Sequence, residues 1–155
     1  MSEKGGSLLV AEFNANFPYD YSAGRYASYF FKKLKEEKRI MGIRCPKCQR
    51  IFVPPRPACG YCFVRNTDWL DLGDEGILWG YTIVRFPFLD PLTGEERPIP
   101  YGYGFIELKG AATRLHHFVT ASSLNKRRIG MPMKAAFIHR ENVEVPETYL
   151  SFEPV

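Results

Sequence analysis

The chain has 155 residues, 45% hydrophobic and 15% aromatic, which is enough for one ordinary domain or two small ones with a real core. No run approaches the ~20 apolar residues of a membrane span, and the apolar stretch at 8–11 is too short for a signal-peptide core, so the expectation is a cytoplasmic globular protein with no membrane partner. The net charge of +4 is divided unevenly: residues 1–66 hold 12 Lys and Arg against 5 Asp and Glu, whereas residues 67–155 hold 9 against 12, so the C-terminal half lacks the positive groove of a nucleic-acid-binding domain.

Residues 1–21 show no sustained period and read as an extended arm. Phe13, Phe17, Tyr19 and Tyr21 are too apolar for free solvation, so the arm packs on this protein or on a partner. At 22–39 the pattern changes. Tyr26, Tyr29, Phe30 and Leu34 fall at helical spacing, with Lys32, Lys33, Lys35 and Glu36 mostly elsewhere on the wheel, which predicts an amphipathic helix with Ser22 placed to cap it. Such an aromatic stripe is read as core or interface rather than as a cofactor box.

The segment at 40–66 carries all four cysteines: Cys45 and Cys48, ten intervening residues, then Cys59 and Cys62. Each Cys-x2-Cys makes a tight turn that aims two sulfurs at one point, and the apolar run Ile51, Phe52, Val53 can return beside 39–44, so that the two turns meet across a hairpin. This is the spacing of a zinc ribbon. The bland alternatives are two disulfides or unpaired structural thiols, and iron fits the same ligands. Zinc is the expected occupant because it is redox-inert and no electron-transfer partner is visible. Pro54, Pro55, Arg56 and Pro57 are stiff and poor in backbone donors, as suits a fixed link between two knuckles.

Strand signals follow at 67–72, 76–86, 103–109, 113–120 and 133–140, rich in β-branched and aromatic residues and punctuated by Gly, Pro or Asn. Five strands in 67–155 predict a small barrel. The longest is apolar on both alternating sets, as expected where one strand bends to serve two surfaces, with Gly80 at the bend. The proline-rich loop at 87–102 is long for a compact domain, a length usually tied to function or mobility, and the closing 145–155 returns along the barrel or the helix.

The order of helix, RIMGIRCPKC, IFVPPR, CGYC, a Tyr-Thr-Ile-Val strand, a Phe-Ile-Glu-Leu strand and an Ile-Gly-Met-Pro-Met-Lys turn and strand resembles a family of acyl-CoA-associated proteins over about 22–140. The resemblance implies a mainly β chain with an N-terminal helix: a rubredoxin-like zinc ribbon followed by a five-stranded OB-fold barrel. Members of that family act as non-catalytic partners of thiolase-fold enzymes, in other cases of hydratase-like enzymes, and help to hold the CoA arm. The implied CoA contacts are cations near the ribbon–barrel joint: Arg44 and Arg56 by the knuckles, and the cluster Lys126, Arg127 and Arg128, for which a plain solvated charge run is the competing reading. One departure is Gln49, where many relatives have glycine; it requires a positive φ or a different knuckle.

The residues set limits of their own. All four cysteines are committed to metal, which leaves no thiol as nucleophile, and four thiolates leave no open zinc position. No G-x-S-x-G elbow or phosphate loop is present. His116 and His117 are adjacent on a strand and point to opposite faces; His139 stands apart, and Glu95 and Glu96 sit beside Arg97 in a loop as solvated charges. The reading is an accessory subunit binding zinc and acyl-CoA beside a thiolase-type enzyme, against a single-stranded nucleic-acid binder or a self-sufficient thioester enzyme.

Overall fold

The computed structural model describes residues 21–89, 94, 96, 98–120, 128–137 and 150–155; the expected arm lies outside them apart from Tyr21. Helix α1 (Gly24–Glu37) buries Phe30 and Leu34, one turn apart, with Phe31 packed alongside, so the stripe read from the sequence is the face that packs. Its start is shifted by one residue. Ala23 holds the cap position without a side-chain bond, and Ser22 Oγ accepts the Gly24 N–H (3.1 Å) from just outside. The helix stops at left-handed Lys38 (φ 57°), whose N–H turns back to Lys33 O.

The chain then enters a three-stranded antiparallel sheet in the order β2 (Ile51–Phe52), β1 (Met41–Arg44), β3 (Asp68–Asp71). The central β1 is covered closely. A Cβ on Gly42 would come within 2.9 Å of Ile51 Cγ2 and Leu72 Cδ1, so glycine is needed there. The strand expected to open the barrel at 67–72 is therefore part of the ribbon sheet. Trp69 sits in register with Ile43 and packs against the cluster of Ile43, Cys45, Phe52 and Cys59, and burying the indole there fixes β3 on β1.

Five later strands close a barrel in the order β4 (Glu75–Val84), β5 (Tyr101–Leu108), β6 (Leu115–Val119), β8 (Leu150–Pro154), β7 (Pro132–Phe137). Counted from the first barrel strand this is 1-2-3-5-4, the Greek-key path of an OB fold. The fifth strand comes from the closing segment: β8 pairs antiparallel with β7 and meets the parallel β6 at one position, Val119 with Phe152. On β5, Gly102, Gly104, Ile106 and Leu108 are buried while Tyr101, Tyr103 and Phe105 stand on the other face. A Cβ on Gly104 would meet Val119 Cγ2 at 2.8 Å. On β4 the register slips between Leu78 and Gly80, which leaves Trp79 as the extra residue of a bulge at the expected bend.

Ribbon and barrel share one core, which runs from Phe30 and Leu34 through Ile40, Met41 and Val53 to Leu78, Ile106, Leu115 and Phe152. A polar clamp holds the seam. Thr113 Oγ1 accepts the Val53 N–H and donates to Val53 O, both at 2.8 Å, and the Ala112 N–H donates to Ile51 O at 2.7 Å. No helix among the described residues is long and apolar enough to cross a membrane.

Candidate metal centre

Two backbone turns of the same design present the cysteines. In the first, the Cys45 N–H donates to Arg50 O (2.9 Å) and the Gln49 N–H to Cys45 O (3.0 Å); in the second, the Cys59 N–H donates to Val64 O and the Phe63 N–H to Cys59 O, both 2.9 Å. The residue after each pair is left-handed, Gln49 at φ 61° and Phe63 at φ 56°. Gln49 thus takes the positive φ its position requires, and its Nε2 donates to Pro46 O (3.0 Å). Phe63 bears the same demand, and the sequence reading passed over it.

The four cysteines are free thiols whose Sγ atoms all lie within 4.8 Å of one another, with Cys48 and Cys59 at 3.6 Å. A tetrahedron with Zn–S of about 2.3 Å has edges of about 3.8 Å, so this spacing fits one thiolate-bound ion. Cys45 and Cys59 are buried; Cys48 and Cys62 lie nearer the surface. The backbone N–H of Arg50 pulls the Cys48 thiol down to about 6, whereas burial and then Cys48 push Cys62 up to about 12. One thiolate therefore forms readily, and four together need a cation to offset their charge. With four sulfurs the shell is closed.

The cations expected to meet CoA are differently placed. Arg44 Nη1 is 3.3 Å from Asp68 Oδ2, so its charge is engaged across β1 and β3. Arg56 and Arg128 are exposed; Lys126 and Arg127 lie outside the described residues, as do Glu95, Arg97 and His139, while Glu96 is exposed. His116 and His117 do face opposite sides, with His116 exposed and His117 buried. His117 Nδ1 accepts the Phe118 N–H (2.9 Å), and burial lowers its pKa to about 4.

Two hollows flank the ribbon. An apolar one of about 200 Å³ lies between α1 and the barrel, with Phe30, Phe31, Leu34, Leu115 and Leu150 in its wall and His117 among them. The other, about 320 Å³, lies between α1 and β3, walled by Tyr26, Tyr29, Trp69 and Asn66 with Arg25 and Arg65 beside them. Sequence reading missed this second cleft. Tyr26 and Tyr29 were legible as one helical face, but nothing local shows that Trp69, forty residues later, stacks on Tyr26 at 5.6 Å and packs on Tyr29 at 4.5 Å.

A closed four-cysteine ribbon sharing a core with an OB-fold barrel defines a two-module class of zinc-ribbon protein. Residues 33–68 match the family model for the ChsH2 rubredoxin-like zinc ribbon domain, and residues 69–137 match that for the ChsH2 C-terminal OB-fold domain. The chain belongs to the ChsH2 family. A DUF35 domain-containing scaffold protein of Methanocaldococcus jannaschii is 28% identical over 109 residues, covering 69% of this chain and 73% of that protein. The solved Ltp2-ChsH2(DUF35) aldolase superposes with a TM-score of 0.67 at 23% identity, over 87% of this chain and 98% of that one. A DUF35-family protein of unknown function from Sulfolobus solfataricus gives 0.61 at 25% identity, over 85% and 87%.

Proposed function

We propose that this chain is a non-catalytic cytoplasmic accessory subunit, which holds a structural zinc through Cys45, Cys48, Cys59 and Cys62 and binds acyl-CoA together with a thiolase-type enzyme. The observation that carries the partner is the outer face of the barrel. Trp79, Ile77 and Phe105 are 54, 49 and 38% exposed, and the Arg114 guanidinium lies 4.7 Å over the Trp79 ring. An exposed aromatic patch on a folded domain is the mark of a surface that another protein covers. The name of the archaeal relative, a scaffold protein, supports the same reading, as does the occurrence of a ChsH2 chain in an aldolase structure. The zinc shell is complete without substrate, so the metal's part is to hold the ribbon.

CoA brings a diphosphate and a 3′-phosphate, and cations are the groups to meet them: Arg56 and Arg128, both exposed, Arg44 once released from Asp68, and, by sequence alone, Lys126 and Arg127. The apolar hollow under α1 is suited to the pantetheine arm. Calorimetry on the chain with its co-purified enzyme tests this. CoA is expected to bind more tightly than dephospho-CoA, with the difference erased by charge removal at the true site. Tight, salt-sensitive binding of single-stranded nucleic acid without any response to CoA would overturn the reading.

A further inference from the structure

The cleft between α1 and β3 is built for a more specific ligand than a generic anion. Its wall is aromatic: Trp69 is half-buried, with Tyr26 stacked on it at an interplanar angle of 26° and Tyr29 tilted against it. Two guanidinium groups adjoin that wall. Arg65 Nε donates to the Tyr26 hydroxyl (3.2 Å), and that hydroxyl donates to Asn66 O (3.3 Å), which ties the cation to the aromatic wall. Neither Arg25 nor Arg65 has a carboxylate partner among the described residues, in contrast to Arg39, Arg44 and Arg114, which are paired with acids. Asn66 is buried, its Nδ2 spent on Arg56 O (2.9 Å), and its Oδ1 meets no donor among the described residues. The cleft thus combines a stacking surface with two cations that have no carboxylate partner among the described residues, in about 320 Å³, a volume at the lower end of small-molecule sites.

We infer that this cleft binds a phosphorylated adenosine, the nucleotide end of CoA, an assignment that rests on the acyl-CoA reading and places part of that ligand. The base packs against the Trp69 and Tyr26 wall, and Arg25 and Arg65 meet the phosphate. Arg56, whose carbonyl holds Asn66, adjoins the same wall through its backbone and is next in line for the diphosphate.

The zinc-loaded full chain, carrying Trp79→Phe so that Trp69 is the sole indole, is titrated with adenosine 3′,5′-bisphosphate, CoA and 4′-phosphopantetheine while its fluorescence is followed. Saturable quenching is expected from the bisphosphate and from CoA, and none from phosphopantetheine. Arg25→Gln and Arg65→Gln, both at exposed positions, should each weaken nucleotide binding about tenfold and reduce its salt dependence. Equal responses to all three compounds, or nucleotide affinity unchanged in the double variant, would overturn the assignment, as would the absence of quenching at millimolar nucleotide. If the complex of the unsubstituted chain with the partner enzyme then still bound CoA, the cleft would be wrong and the accessory role would stand; if that complex bound no CoA, the functional reading itself would fall.

Discussion

Replacing Thr113 with Val removes one hydroxyl that serves two buried backbone groups, the N–H and the C=O of Val53, at 2.8 Å each. Val53 is fully buried at the seam of ribbon and barrel, so water cannot readily take over both roles. A buried group left unpaired costs about 1–3 kcal/mol, so two of them, with some relaxation, imply a loss of about 3 kcal/mol. For a chain of this size that corresponds to a melting temperature lower by roughly 6–12 °C. Thermal denaturation of the zinc-loaded chain measures it, with Thr113→Ser as the partner variant that keeps the hydroxyl and should melt close to the parent. If Thr113→Val melted with the parent, the clamp would not be what joins the modules; an equal loss in Thr113→Ser would assign the effect to the methyl group's packing instead.

Four further outcomes follow from the same geometry. Cys45→Ser or Cys59→Ser should abolish binding of one zinc per chain and unfold the ribbon, as read by metal analysis and circular dichroism; a folded variant with full zinc would contradict the four-sulfur site. Gly42→Ala should destabilise by about 1–3 kcal/mol through overpacking against Ile51 and Leu72, measured by urea denaturation. Burial holds the folded-state pKa of His117 at about 4, below its unfolded value near 6.5, so the unfolded chain takes up the proton first. The stability contributed by this group is present above about pH 6.5 and falls, by about 3 kcal/mol in all, as pH drops to about 4; His117→Gln should flatten that slope at constant zinc content. Trp79→Ser should lower the melting temperature only modestly while weakening capture of the partner enzyme, since the indole is 54% exposed.

Local chemistry made the ribbon legible. Two Cys-x2-Cys turns need no distant information to aim four sulfurs inward, and the left-handed demand on Gln49 followed from its place after the second cysteine. Helix α1 was equally legible from Phe30 and Leu34. The barrel was visible as a class, but strand ownership was not. The short stretch Asp68, Trp69, Leu70, Asp71 fits a ribbon edge and a barrel strand equally well, and only the register of Trp69 against Ile43 decides between them. The closing segment was read as returning along the barrel or the helix, and the barrel is where β8 lies; its partners, β7 and β6, are set by closure of the sheet rather than by any hairpin turn. Among the candidate cations, the sequence singled out Arg44 by its nearness to Cys45, whereas folding ties it to Asp68 and leaves Arg25 and Arg65 beside a cleft that joins residues forty apart.

The accessory role is tested most directly by reconstituting acyl-CoA turnover from purified components: this chain alone, the co-purifying enzyme alone, and the two together. Expected are no turnover by the zinc-loaded chain, weak or absent turnover by the enzyme alone, and full activity on mixing, with Trp79→Ser restoring less of it. Robust thiolysis by this chain in isolation, or an enzyme that loses nothing without it, would rule out the accessory role.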